Sequence, residues 1–166
     1  MDKTPFEGTR GEYIQKYLLS RPALVKKTAA YLTQFVPPHA TVVDLGSGPQ
    51  IGKFFLDAIG KNCEKIVSVD PYWASDFQGG KNTGVVPSDA FTFVEDFEEK
   101  ADVVLLLRSL HHILRGRKKD LKTFLCHVEK MLSTGGKLII CDPFYNPKRK
   151  FSKQKILRLR KLLAAS

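Results

Sequence analysis

The chain has 166 residues, 43% of them hydrophobic and 27% charged, and carries a net charge of +10. That length and composition suit one soluble domain with a packed core. No apolar run nears the roughly 20 residues that span a bilayer, and Met1-Asp2-Lys3-Thr4-Pro5 begins no signal-peptide core.

Residues 1–40 read as a helical N-terminal segment. Tyr13, Ile14, Tyr17 and Leu18 share one face, so Tyr13 and Tyr17 are candidates for a lid over a ligand. Pro22 suits a first helical turn. Leu24, Val25, Leu32 and Phe35 repeat as a core-facing stripe until Pro37-Pro38 ends the helix. From 41 to 145, strand and helix patterns alternate, with strands near 41–45, 65–69, 84–87, 102–107 and 137–141. Such alternation predicts an α/β domain built on a parallel sheet with flanking helices. Residues 79–84, Gly-Gly-Lys-Asn-Thr-Gly, have the composition of a loop.

Residues 146–166 read as a basic C-terminal helix, with no acid after Asp142. Lys148, Arg149, Lys150, Lys153, Lys155, Arg158, Arg160 and Lys161 carry most of the net charge. Ile156, Leu159 and Leu163 form a narrow apolar stripe between them. The segment suits a solvated helix, docking on the sheet, or contact with RNA or an anionic membrane. It lacks interleaved aromatics for base stacking, so an RNA contact would run through phosphates. The three cysteines, Cys63, Cys126 and Cys141, show no C-x-x-C spacing, which argues against a disulfide framework or a zinc site. Cys126 and Cys141 lie in apolar runs and read as buried hydrophobes. An intracellular, cytoplasmic protein without a metal is the expectation.

The most specific signal is Thr41-Val42-Val43-Asp44-Leu45-Gly46-Ser47-Gly48-Pro49-Gln50-Ile51-Gly52. A β-branched run meets an acid, then a glycine turn, then a helix-compatible stretch. Gly46 and Gly48 permit positive φ and close approach of backbone to a ligand, and a helix start behind them offers free N–H groups. Asp70 ends the run Lys65-Ile66-Val67-Ser68-Val69 at the spacing of an acid that holds ribose hydroxyls. An adenosine-type ligand follows from the two strand ends together. The dinucleotide pattern G-x-G-x-x-G would need glycine at position 51, which is Ile51. Asp44 would also repel a pyrophosphate and attract an ammonium. A nicotinamide-dependent oxidoreductase is thereby disfavoured.

At these residues the chain resembles the class I S-adenosylmethionine-dependent methyltransferases, whose pattern is an acid followed by G-x-G-x-G. Asp44-Leu45-Gly46-Ser47-Gly48 matches it, and Gln50 replaces the third glycine, which would crowd the methionine part of the cofactor. Ser88-Asp89-Ala90 is similar to the family's acid after strand three. Residues 101–113, Ala-Asp-Val-Val-Leu-Leu-Leu-Arg-Ser-Leu-His-His-Ile, resemble its fourth strand and following loop. Phe124 to Phe144, containing Val128 to Pro143, resemble its helix, Gly-Gly turn and fifth strand. The likeness covers roughly 41–145.

The resemblance implies a Rossmann-like fold that binds S-adenosylmethionine and transfers its methyl group. It is a shortened version, because the family's sixth and seventh strands have no counterpart here. It further implies that Asp44, Gly46, Ser47 and Gly48 hold the methionine end, and Asp70 with Pro71 and Tyr72 the ribose side. Asp89 and Ala90 would meet the adenine. Arg108, Ser109 and His111 would line the transfer site as catalytic candidates. Tyr72 and Trp73 suit either stacking on adenine or packing at the core edge. The acceptor, small molecule or RNA, stays open. A non-catalytic methyltransferase-like module that binds RNA or a protein partner through the basic tail is the alternative.

Overall fold

A computed structural model describes residues 22–48, 59–60, 63–72, 82–107, 109–115 and 120–141. In chain order these form α1 (Pro22–Thr33), β1 (Thr41–Leu45), β2 (Lys65–Val69), β3 (Thr83–Val86), α2 (Ala90–Asp96), β4 (Ala101–Leu107), α3 (Leu110–Ile113), α4 (Leu121–Met131) and β5 (Leu132–Cys141). The strands pair in parallel as one five-stranded sheet, ordered β3-β2-β1-β4-β5. The chain therefore moves outward from β1 to β3, then restarts on the other side of β1. That reversal leaves a crevice beyond the carboxyl ends of β1 and β4, where sheets of this type take ligands.

The strands are apolar on both faces, as a parallel sheet covered on both sides requires. Alternation splits the side chains into two cores. Val42, Ile66, Val103, Leu105 and Leu107 face Ala29 and Leu32 of α1. Val43, Leu45, Val67, Val69, Val104 and Leu106 face Val94 of α2 and Phe124, Val128 and Met131 of α4. These last three recur at i, i+4 and i+7, so one stripe of α4 is buried. Phe124 is wholly buried and tilts against Phe91 with ring centroids 5.0 Å apart.

Four expectations need correction. Cys126 is exposed, because two residues beyond Phe124 a helix has turned to its opposite side. Cys141 is also exposed, at the end of β5. The N-terminal helix stops at Thr33 rather than at Pro37-Pro38. The Thr33 hydroxyl donates to the Ala30 carbonyl at 2.8 Å, and Gln34 and Phe35 close tighter turn bonds onto Tyr31 and Leu32. Finally, β5 begins five residues before the expected 137. Leu132 pairs with Ala101, the ladder is interrupted, and it resumes with Val103 opposite Lys137. The Gly-Gly pair thus forms a bulge rather than a turn between elements. Gly135 has φ +80°, and a Cβ at Gly136 would come within 2.9 Å of the Ser133 carbonyl oxygen. Asp102 ties the bulge down, accepting from the Ser133 hydroxyl at 2.8 Å and from the Thr41 amide at 2.9 Å. Strands β3 and β4 start one residue before their expected positions. Among the described residues, no helix is long and apolar enough to cross a membrane.

Candidate functional site

The turn after β1 crosses onto the end of β2. Gly46 and Ser47 both donate their amides to the Val69 carbonyl, at 2.7 and 3.2 Å. Reaching it takes positive φ at Gly46 (71°) and Gly48 (62°). Gly46 is constrained twice, since a Cβ there would lie 2.6 Å from the Ser109 Cβ. Ser109 is buried just past β4, and its hydroxyl donates to the Leu45 carbonyl at 2.7 Å. Asp70, also buried, closes the arrangement. Its Oδ2 accepts from the Gly48 amide and its Oδ1 from the Tyr72 amide, each at 2.9 Å. Three strand ends are therefore stitched into one rim.

Asp44 lies beneath this rim with 1% of its surface exposed. It follows Val42 on the α1 side of the sheet, between Ser68 of β2 and Leu105 of β4. Ser68 gives no help. Its hydroxyl donates instead to the Ser47 hydroxyl, at 2.6 Å. The Asp44 Oδ1 consequently has no hydrogen-bond partner among the described residues. Burial, reinforced by the nearby Asp70 carboxylate, pushes the Asp44 carboxyl up to about 7. A buried carboxylate of this kind is normally paired or neutralised. No cation among the described residues plays that part, and the one ion pair found there, Lys65 with Glu99, is exposed. Two carboxylates without a counter-ion among the described residues make a site that suits a cationic ligand and disfavours a phosphate.

The other expected site residues fall as follows. Ser47 is buried in the turn, whereas Pro71 and Tyr72 are exposed at the β2 end. Asp89 is an N-cap: its carboxylate accepts from the Phe91 and Thr92 amides and from the Thr92 hydroxyl, while Ala90, the first residue of α2, is buried. His111 and His112 sit exposed on α3 with ring centroids 4.0 Å apart, whereas Leu110 of the same helix turns into the core. Arg108, Pro49, Gln50, Trp73, Tyr13, Tyr17 and the basic residues of 146–166 lie outside the described residues. The described part of the N-terminal segment, α1, packs Ala29 and Leu32 onto the sheet. One residue of the site, Ser68, escaped the sequence reading. It was visible as the one polar residue inside the apolar part of β2. Its place beside Asp44 was not, because register is a tertiary property. Ser109 was expected as a lining residue, and nothing local to it signals the bond to Leu45, 64 positions away.

Neither a family profile nor a curated protein matches this sequence. Solved structures do. An S-adenosylmethionine-dependent methyltransferase from Archaeoglobus fulgidus superposes with TM-score 0.66 at 18% identity, over 93% of this chain and 73% of its own. A protein from Clostridium thermocellum assigned as an rRNA methylase gives 0.52 at 17% identity, over 82% and 78%. An S-adenosylmethionine-dependent O-methyltransferase from Thermotoga maritima gives 0.52 at 15% identity, over 84% of this chain and 49% of its own, so the chain spans about half of that relative. With its five parallel strands, its reversal beside β1 and its glycine turn over a buried acid, this chain has the Rossmann-like fold of the class I S-adenosylmethionine-dependent methyltransferases.

Proposed function

We propose that this protein binds S-adenosylmethionine at the carboxyl rim of its sheet and catalyses transfer of the methyl group to an acceptor. One observation carries this reading: Asp44, buried under the glycine turn, has an Oδ1 with no partner among the described residues. An amino-acid ammonium supplies the missing charge and donor, and the neutral or anionic parts of other nucleotides do not. Asp70 retains acceptor capacity beyond its two backbone amides, because an ionised carboxylate offers about four lone-pair sites. It is the group for the ribose hydroxyls. Tyr72, Asp89 and Ala90 flank the place for the base. Gly46 and Gly48 leave the backbone open to the methionine end.

The cofactor, when bound, supplies an electrophilic methyl group on a sulfonium. What the chain contributes is placement. Asp44 anchors the amino-acid part of the cofactor and Asp70 its ribose, and the rim held by Ser109 keeps those anchors in register. Positioning of this sort accounts for much of the rate in a direct displacement, and exclusion of water protects it. His111 and His112, exposed on α3 just past Ser109, are the proposed proton acceptors beside the transfer site. The basic segment 146–166, through Lys148 to Lys161, is the proposed contact for a polyanionic acceptor such as RNA.

The test is calorimetric titration with S-adenosylhomocysteine. Micromolar binding to the wild type, lost in Asp70→Ala and in Asp44→Asn, is the expected result. No binding to the wild type, or tighter binding of NADH, would overturn the assignment.

A further inference from the structure

We propose that cofactor uptake at this rim is coupled to release of a proton from the Asp44–Asp70 pair, so that the site fills near neutrality and empties on acidification. This rests on the function proposed above.

The geometry behind it is the isolation of Asp44. From β2 it is faced by Ser68, whose hydroxyl is committed to Ser47, and by Asp70 at the strand end. From β4 it is faced by Leu105. The cluster packed on this side of the sheet from α1 contributes Ala29 and Leu32. Asp70 is the one charged group among the described residues that acts on it, and that action is repulsive. Both Asp70 oxygens accept backbone amides, whereas the Asp44 Oδ1 accepts from no group among the described residues. The carboxyl raised by burial is that of Asp44. With its carboxyl raised to about 7, Asp44 in the free protein is about half neutral acid at pH 7 and mostly neutral acid below it. An ammonium arriving at Oδ1 favours the carboxylate and drives the proton to solvent. By linkage, the same proton opposes binding as the pH falls.

The experiment is calorimetry of the wild-type protein with S-adenosylhomocysteine between pH 5.5 and 7.0, in buffers of different ionisation enthalpy. Below pH 7.0 the ligand's own amine remains cationic, since α-amino groups titrate near 8. With Asp44 titrating at about 7, release of about 0.8 proton per ligand is expected at pH 6.5. Affinity should weaken about 15-fold from pH 7.0 to 5.5. Adenosine, which lacks the amino-acid ammonium, should release no proton and bind independently of pH. A change in affinity under about 3-fold with no proton released, or equal release with adenosine, would overturn the coupling while leaving the cofactor assignment standing. Absence of any binding at pH 7.0 would overturn both.

Discussion

Replacing Asp44 by Asn should stabilise the ligand-free protein at alkaline pH and destabilise it at acid pH. The carboxyl is raised from an ordinary value of 3.8 to about 7, chiefly by burial. Between those values the folded protein binds a proton that the unfolded chain does not. Stability contributed by this site is therefore complete below about pH 4 and declines as the pH rises towards 7. The slope is about 1.4 kcal/mol per unit, so the whole window is worth about 4 kcal/mol. The amide of Asn escapes this loss. It introduces a buried amino group short of an acceptor, at a pH-independent cost of about 1–3 kcal/mol. The two effects have opposite signs, so the curves should cross between about pH 4.5 and 6. Urea denaturation of both proteins, followed by circular dichroism from pH 4.5 to 8.5, would measure the difference. A difference in unfolding free energy that stays constant across that range would refute the account of Asp44 as a buried acid whose Oδ1 has no partner among the described residues. The same variant should lose cofactor affinity, which would make the site one where binding is maintained at the expense of stability.

Other consequences of the rim are equally measurable. Gly46→Ala combines a left-handed backbone with a 2.6 Å approach to the Ser109 Cβ, and thermal or urea unfolding should show a loss of about 2–4 kcal/mol. Gly135→Ala is its control: φ is +80° but the space around it is open, so a loss of about 1–2 kcal/mol is expected from the backbone alone. A larger loss at 135 than at 46 would contradict the packing argument. Ser109→Ala strips the buried Leu45 carbonyl of its side-chain donor. It should cost about 1–3 kcal/mol in denaturation and weaken S-adenosylhomocysteine binding in calorimetry. Asp89→Ala removes the cap of α2, costing about 1 kcal/mol. If cofactor affinity is unchanged in it, Asp89 serves the helix and not the adenine. Phe124→Ala, at the centre of the core shared with α4, should lose about 3–5 kcal/mol.

Much of the fold was legible in the chain itself. The apolar β-branched runs at 41–45, 65–69 and 101–107 can satisfy both their backbone and their side chains only inside a covered parallel sheet. The glycine turn after Asp44 and the acid at Asp70 declared a ligand edge, because spacing along the chain is what places successive strand ends together. Local sequence was less informative where partners come from far away. Cys126 reads as apolar in a window but is turned out by helical phase, which only the docking of Phe124 and Val128 sets. The Gly-Gly pair announces a departure from regular structure, yet whether it becomes a turn or a bulge depends on Asp102 and Thr41 on neighbouring strands. The state of Asp44 is the clearest instance. Its identity and position came from sequence, but its isolation came from register, which sets it between a serine already engaged elsewhere and a leucine. A carboxylate's charge is a property of its surroundings rather than of its residue type, and those surroundings exist only once the strands have paired.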